Sequence, residues 1–283
     1  MFRCQECSAQ FVRRYQSLKW TRQLFREYTL GKQTLTQLAN KYGKTRETIR
    51  KYLDRHRERS TTSLVAGPVI IGVDCSFFGR GYGIILVRCP NLRKNLYWKE
   101  VTTENKTVYE EARKYLEAAG FSIQAVVLDA KSGIRQAFTG LIIQICQYHQ
   151  QQIIRRYLTS KPKTQAGAEL KLITDMLTKL TEPVFTQLLS EWHQKWNDFL
   201  KERTFANDGK HWWYTHKRLR SAYRSLGTNL PYLFSYRKHP DLRIPNTNNS
   251  LEGYFSRIKQ LLNNHHGLKR HRRYRVIQSI LKN

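Results

Sequence analysis

Acidic residues are what this chain has least of. Asp and Glu number 21 against 50 Lys and Arg, a formal net charge of +29 over 283 residues. That imbalance calls for a polyanion or a strongly negative surface as partner. Both ends are rich in cations, and beyond Asp208 the only acids are Asp241 and Glu252. Such surfaces contact phosphates, with salt-sensitive affinity. No apolar run approaches the ~18 residues of a membrane span, and Met-Phe-Arg-Cys at the start has none of the apolar region of a signal peptide. Five cysteines, odd in number and irregularly spaced, do not make a disulfide framework and point to a reducing, intracellular compartment. Internal repeats and low-complexity tracts are absent. What remains is globular: 40% hydrophobic and 12% aromatic.

The chain reads in segments. Residues 1–14 hold Cys4-Gln5-Glu6-Cys7, one knuckle of a zinc ribbon. Tetrahedral zinc needs four ligands, and no second pair follows, so Cys4 and Cys7 are half a zinc site or no site. Residues 15–59 form three helices. Trp20, Leu24 and Tyr28 recur every four residues and predict a helix over 17–29. Thr34-Leu35-Thr36-Gln37 has capping-box form, and Thr45 caps a third helix with Ile49 and Leu53 inward. Arg46, Glu47, Arg50 and Lys51 then project outward. This is a small all-α helix-turn-helix domain whose last helix suits the major groove, or else a three-helix bundle with a solvated basic face. Residues 60–67 are a linker.

At Val69 the period changes. Apolar strands are expected at 69–73, 82–87, 95–101, 123–128 and 141–145, with helices at 107–119 and 134–138. Three antiparallel strands, a helix, a strand, a helix and a strand is the order of the ribonuclease H-like fold, an α/β mixed sheet occupying 68–146. Residues 147–244 read as an all-helical insertion, with Trp192 and Trp196 in its core. Trp212 and Trp213 alternate with His211, His216, Lys217 and Arg218, a mixture that suits stacking on unpaired bases, although one of the two tryptophans is expected inside. Residues 245–283 carry a final helix, capped by Asn249 or Ser250, and a basic tail. In that tail, His265-His266 and Lys269, Arg270, Arg272 and Arg273 read as phosphate-binding surface.

Asp74 and Asp129 each stand where an apolar strand is expected to stop, and Glu252 falls in the first turn of the last helix. Singly, each has a plain alternative: a strand-end turn for the aspartates, a helix-dipole partner for the glutamate. Together, three hard oxygen donors brought to one sheet edge suit Mg²⁺ or Mn²⁺, and two such ions serve phosphodiester chemistry. Cys146 reads as a buried thiol, and His149 either orders the site or is simply packed on Cys146.

Gly-Val-Asp74-Cys-Ser, Val-Leu-Asp129-Ala-Lys-Ser-Gly and Thr-Asn-Asn-Ser-Leu-Glu252-Gly together resemble the DDE triad of bacterial insertion-sequence transposases, above all those of the mutator-related superfamily. Cys146-Gln-Tyr-His149 resembles that superfamily's Cys-or-Asp-x-x-His motif. The resemblance covers about residues 68–270. It implies Asp74, Asp129 and Glu252 as catalytic ligands of two Mg²⁺ ions, Mn²⁺ substituting. It further implies double-stranded DNA as partner at element ends and target, an oligomer (a homodimer or larger), strand cleavage and transfer, and a cytoplasmic, nucleoid-associated protein. Two alternatives stand beside it: a DNA-binding protein without catalysis, and a structure-selective nuclease on the same fold.

Overall fold

The computed structural model describes all residues except 1, 4, 9, 12–14, 57–64, 132, 266, 267 and 283, and leaves the side chains of 2, 3, 11 and 15–19 undescribed. The chain divides into two compact units: Met1–Leu64 with Gly253–Asn283, and Val65–Glu252. The chain after Glu252 thus falls in the same compact unit as the N-terminal helices.

The first unit opens with two short paired strands, β1 (Phe2–Arg3) and β2 (Gln10–Phe11), followed by α1 (Tyr15–Thr29), α2 (Leu35–Tyr42) and α3 (Arg46–Arg55). Local chemistry sets these helix ends. Gln37 N donates to Thr34 Oγ1 at 3.2 Å and Thr34 N donates to Gln37 Oε1 at 2.8 Å, the expected capping box. Gly43 closes α2 in the left-handed region at φ 57°. Thr45 Oγ1 accepts from Thr48 N and starts α3. Leu24, Leu38, Ile49 and Leu53 are buried. The expected linker, 60–67, falls largely outside the described residues.

The second unit is built on a five-stranded mixed sheet. Its strands are β3 (Pro68–Phe77), β4 (Gly83–Cys89), β5 (Lys94–Val101), then, after α4 (Lys106–Ala118), β6 (Ser122–Leu128) and β7 (Ile142–Ile145), in the order β5-β4-β3-β6-β7. Pairing is antiparallel from β3 to β4 and β4 to β5, and parallel from β3 to β6 and β6 to β7. Every residue of β4 is buried, the apolar run 83–87 and Arg88 with it, whereas β5, at the edge, buries only Leu96 and Val101.

β3 is longer than expected. Parallel pairing with β6 ends at Gly72↔Val127, but antiparallel pairing with β4 continues to Phe77↔Gly83. Asp74 therefore lies inside a strand yet just past its last bond to β6.

Helices α5 (Gln147–Leu158), α6 (Gln165–Asp175) and α7 (Glu182–Lys201) follow, then a hairpin of β8 (Arg203–Phe205) and β9 (Trp212–Tyr214), then α8 (Lys217–Leu233) and α9 (Ser235–Lys238). The insertion is thus not all helix. Arg-Thr-Phe and Trp-Trp-Tyr favour strands, and Asp208-Gly209, with Gly209 at φ 65°, turns between them. Trp192 is buried as expected and donates its Nε1 proton to Ala166 O at 3.0 Å. The block is tied to β7 through polar bonds: Gln144 Nε2 to Leu233 O at 2.9 Å, and Ser235 Oγ to Ile143 O at 2.7 Å. Last come α10 (Asn249–Asn264) and α11 (Arg270–Leu281). Among the described residues no helix is long and apolar enough to cross a membrane.

Candidate active site

Four separated stretches come to the end of the sheet where the central strands β3 and β6 part. Extending the register Gly72↔Val127 by two residues sets Asp74 level with Asp129. The third contribution is the start of α10, and Asn248 fixes it. This side chain is 2% exposed. Its Nδ2 reaches Val73 O at 3.4 Å and Val127 O at 3.3 Å, and its backbone N–H points at Cys146 Sγ at 3.3 Å. Its carbonyl accepts from Leu251 N and Glu252 N. Asn248, rather than Asn249 or Ser250, is thus the residue on which α10 begins, and its side chain serves the strands instead of the helix. Gly72 makes room for it: a Cβ there would lie 2.7 Å from Asn248 Oδ1 and 3.2 Å from Leu251 Cδ1.

The loop before α10 is latched to the start of α5 as well. Gln147 N donates to Asn246 O at 2.9 Å, and Asn246 Nδ2 donates to Gln147 Oε1 at 3.0 Å. Cys146 N donates to Leu128 O at 2.8 Å, which joins α5 to the end of β6. Cys146 is the buried thiol expected; burial pushes it up to about 11, so it stays protonated.

These latches bring His149, in the first turn of α5, between two of the acids. Its Nε2 is 3.2 Å from Glu252 Oε1 and its Nδ1 is 4.0 Å from Asp129 Oδ1. Neither contact has hydrogen-bond geometry, and His149 Nδ1 and Glu252 Oε1 are buried atoms without a hydrogen-bond partner. Two orphaned polar atoms on facing side chains are costly unless something else binds them. The aspartates accept from the next backbone N–H: Cys75 N to Asp74 Oδ1 at 2.7 Å, and Ala130 N to Asp129 Oδ1 at 2.6 Å.

The donors, three carboxylates and an imidazole, suit a hard divalent cation by chemistry. By position they are not drawn together: among the described residues no three His, Cys, Asp or Glu lie close enough to hold one.

A fourth acid borders the site and has no sequence signal of its own. Glu104, in the loop before α4, accepts from Tyr109 OH at 2.7 Å and from Lys131 Nζ at 2.8 Å. It ties the loop after Asp129 to the loop after β5. An acid among many loop residues looks like any solvated charge until the sheet places it.

Asp74 carries the electrostatic cost of this crowding. Burial first, then the charge of Asp129, with Glu104 and Glu252 adding to them, pushes it up to about 8. The folded protein thus holds a proton that an unfolded carboxyl, near 3.8, releases. Folding takes up that proton between the two values, so stability falls as pH rises from about 4 to about 8. Asp74→Asn removes the slope. In metal-free buffer the variant is expected to melt several degrees above wild type at pH 8 and level with it near pH 4. Equal melting at pH 8 would mean that the carboxylate bears no such cost.

The remaining candidates lie elsewhere. Cys4 is outside the described residues, and Cys7 is an exposed free thiol. Arg46 and Lys51 are exposed on α3, while Arg50 pairs with Glu47 at 3.0 Å. Lys217 is exposed, and Arg218 donates to Arg156 O. Lys269 and Arg270 are exposed at the start of α11, and Arg273 is half-buried there. Arg272 is not phosphate-binding surface: its Nε and Nη2 grip the two oxygens of Asp54 at 2.8 and 2.7 Å. His265 is also inside, its Nε2 on Tyr28 O at 2.8 Å, while His266 is outside the described residues. Trp212 and Trp213 are both exposed, neither in the core.

No protein-family model matches this sequence, and none of the curated proteins matches it. Among solved structures it is similar to the Drosophila P element transposase strand transfer complex, at 10% identity and a TM-score of 0.44, over 99% of this chain and 94% of that one. A likeness of that size bears on neither fold nor activity.

Proposed function

We propose that this chain is a metal-dependent DNA transposase on a ribonuclease H-like sheet, of the kind its motifs resemble in the mutator-related superfamily of bacterial insertion sequences. The observation that supports the reading is the placement of Asp74, Asp129 and Glu252 around one end of the sheet, with His149 Nδ1 4.0 Å from Asp129 Oδ1 and His149 Nε2 3.2 Å from Glu252 Oε1. The three acids come from two adjacent parallel strands and a helix start, in a chain of net charge +29. The strand order β5-β4-β3-β6-β7 supports the fold assignment.

Asp74, Asp129 and Glu252 would hold Mg²⁺ or Mn²⁺, and such ions would supply activation of water and neutralisation of phosphate charge. The chain's own part is placement. Asn248 fixes Glu252 beside the strands, and His149 stands against Glu252 and Asp129. Lys131 is held by Glu104 two residues from Asp129. Exposed Arg46 and Lys51 on α3 support a helix-turn-helix reading for double-stranded DNA, with assembly as a homodimer or larger oligomer on element ends in the cytoplasm. Cys4 and Cys7 would hold Zn²⁺ only with ligands from elsewhere.

The test is strand cleavage and joining of inverted-repeat and random-sequence DNA with Mg²⁺ or Mn²⁺. Asp74→Asn, Asp129→Asn and Glu252→Gln are each expected to lose about a hundred- to a thousandfold or more in rate. The carboxylates stand apart, with His149 between two of them, and this supports a second reading, a DNA-binding protein without catalysis. Tight, salt-sensitive DNA binding with no cutting by wild type would decide for it.

A further inference from the structure

The β8–β9 hairpin leaves its aromatic side chains in water. Phe205, Trp212 and Trp213 are 59, 43 and 40% exposed. Large rings are usually core or interface residues, so three on one short hairpin mark a surface that meets something.

The antiparallel register sorts them by face. Phe205 pairs with Trp212 and Arg203 with Tyr214, giving one face of three rings and a cation. The Arg203 guanidinium lies 3.9 Å from the Trp212 centroid, and that of Arg220 lies 3.5 Å from the Tyr214 centroid. Trp212 and Tyr214 meet edge to face at 5.3 Å. Trp213 takes the opposite face, with Lys217 Nζ 5.2 Å from its ring. The nearby acids are occupied. Asp208 accepts from Lys210 N and His211 N and contacts His211 Nδ1, and Glu202 lies 2.9 Å from His216 Nε2. The hairpin therefore presents rings and cations, with Asp208 and Glu202 each engaged by a histidine beside it.

We propose that this hairpin is a binding site for unpaired nucleobases. Phe205, Trp212 and Trp213 stack on bases, and Arg203 and Lys217 meet the flanking phosphates. A π-face with a cation beside it takes any base, whereas paired bases in a duplex offer no free face. The proposal rests on the nucleic-acid reading above, but not on its catalysis.

The test measures full-length protein in EDTA, which prevents metal-dependent cleavage. Three probes are compared: an oligothymidylate of about twenty nucleotides, longer than a single ~4–16-nucleotide site, an abasic strand with as many phosphates, and a duplex of the same length. Expected are quenching of tryptophan fluorescence by the oligothymidylate, and tighter binding of it than of the abasic strand. A Phe205→Ala, Trp212→Ala, Trp213→Ala variant should lose tenfold or more on the oligothymidylate, with duplex affinity and melting temperature unchanged. Equal binding of abasic and base-bearing strands would overturn the proposal. So would an undiminished variant, or equal losses on strand and duplex, which would indicate phosphate attraction alone. A variant that loses self-association with no change in base binding would also overturn it, assigning the surface to a second copy. If the cleavage assay fails while base-dependent quenching persists in EDTA, the catalytic reading falls and this one stands.

Discussion

A chain ending at Asn264 is expected to lose its folded N-terminal helices along with α11. Val276, Ile277, Ile280 and Leu281 of α11 are all buried. At about 1.5–3 kcal/mol for each such side chain, they contribute roughly 6–12 kcal/mol as an upper bound, comparable with the ~5–15 kcal/mol that holds a whole domain. Polar contacts in the same unit reinforce them. Arg272 grips the Asp54 carboxylate with two bonds, Arg275 donates to Asp54 O, and His265 is buried on Tyr28 O. The Arg272 guanidinium holds Asp54 below the usual carboxylate range. The stability this pair adds is therefore full above the ordinary value of 3.8 and is lost as pH falls through the lowered folded-state value. Limited proteolysis with mass mapping reads the outcome. In the truncated chain, cuts should spread through 15–56 while 65–252 resists; in the full chain both resist. Unaltered protection of α1–α3 after truncation would show that these three helices stand without α11.

How far the sequence discloses this structure depends on how far apart the partners lie. The capping box at Thr34 and the cap at Thr45 link residues three apart, and both are legible from residue type alone. So is most of β4, whose residues 83–87 are a continuous apolar run. Asp74 and Asp129 could be marked because each follows an apolar stretch, although β3 runs on past Asp74 where β4 still pairs with it. The long-range polar partners carry no such mark. Asn248 stands in a run of turn-forming residues, and nothing local tells that its amide spans two strands, one 175 residues away. Arg272 looks like any cation of a basic tail until Asp54, 218 residues earlier, neutralises it. The β8–β9 hairpin was hidden for another reason. Strands of three residues are too short to display a period, and the helices around them dominate any window that contains them.

Gly72→Ala, one methyl group, is expected to damage the site more than any surface change. No strained backbone is involved; the objection is space. The new Cβ would stand 2.7 Å from Asn248 Oδ1 and 3.2 Å from Leu251 Cδ1. Neither neighbour is free to yield. Leu251 is fully buried, and the Asn248 amide is held by the carbonyls of Val73 and Val127. Overpacking of this kind costs about 1–3 kcal/mol. The start of α10 must then lift from the sheet, and Glu252 moves with it relative to Asp74 and Asp129. A misplacement of about 1 Å at such a site costs on the order of a hundredfold in rate, so metal-dependent cleavage should fall far more than the melting temperature suggests. A double-mutant cycle separates displacement from simple loss of stability. Asn248→Ala alone removes the latch and should destabilise. Combined with Gly72→Ala it also removes the clashing oxygen, so the double variant should be more stable than the sum of the two losses. Strict additivity, or a Gly72→Ala protein that melts and cuts like wild type, would mean that Asn248 does not sit against β3. The seat of Glu252 beside the two aspartates would fall with it, because Asn248 is what holds the start of α10 there.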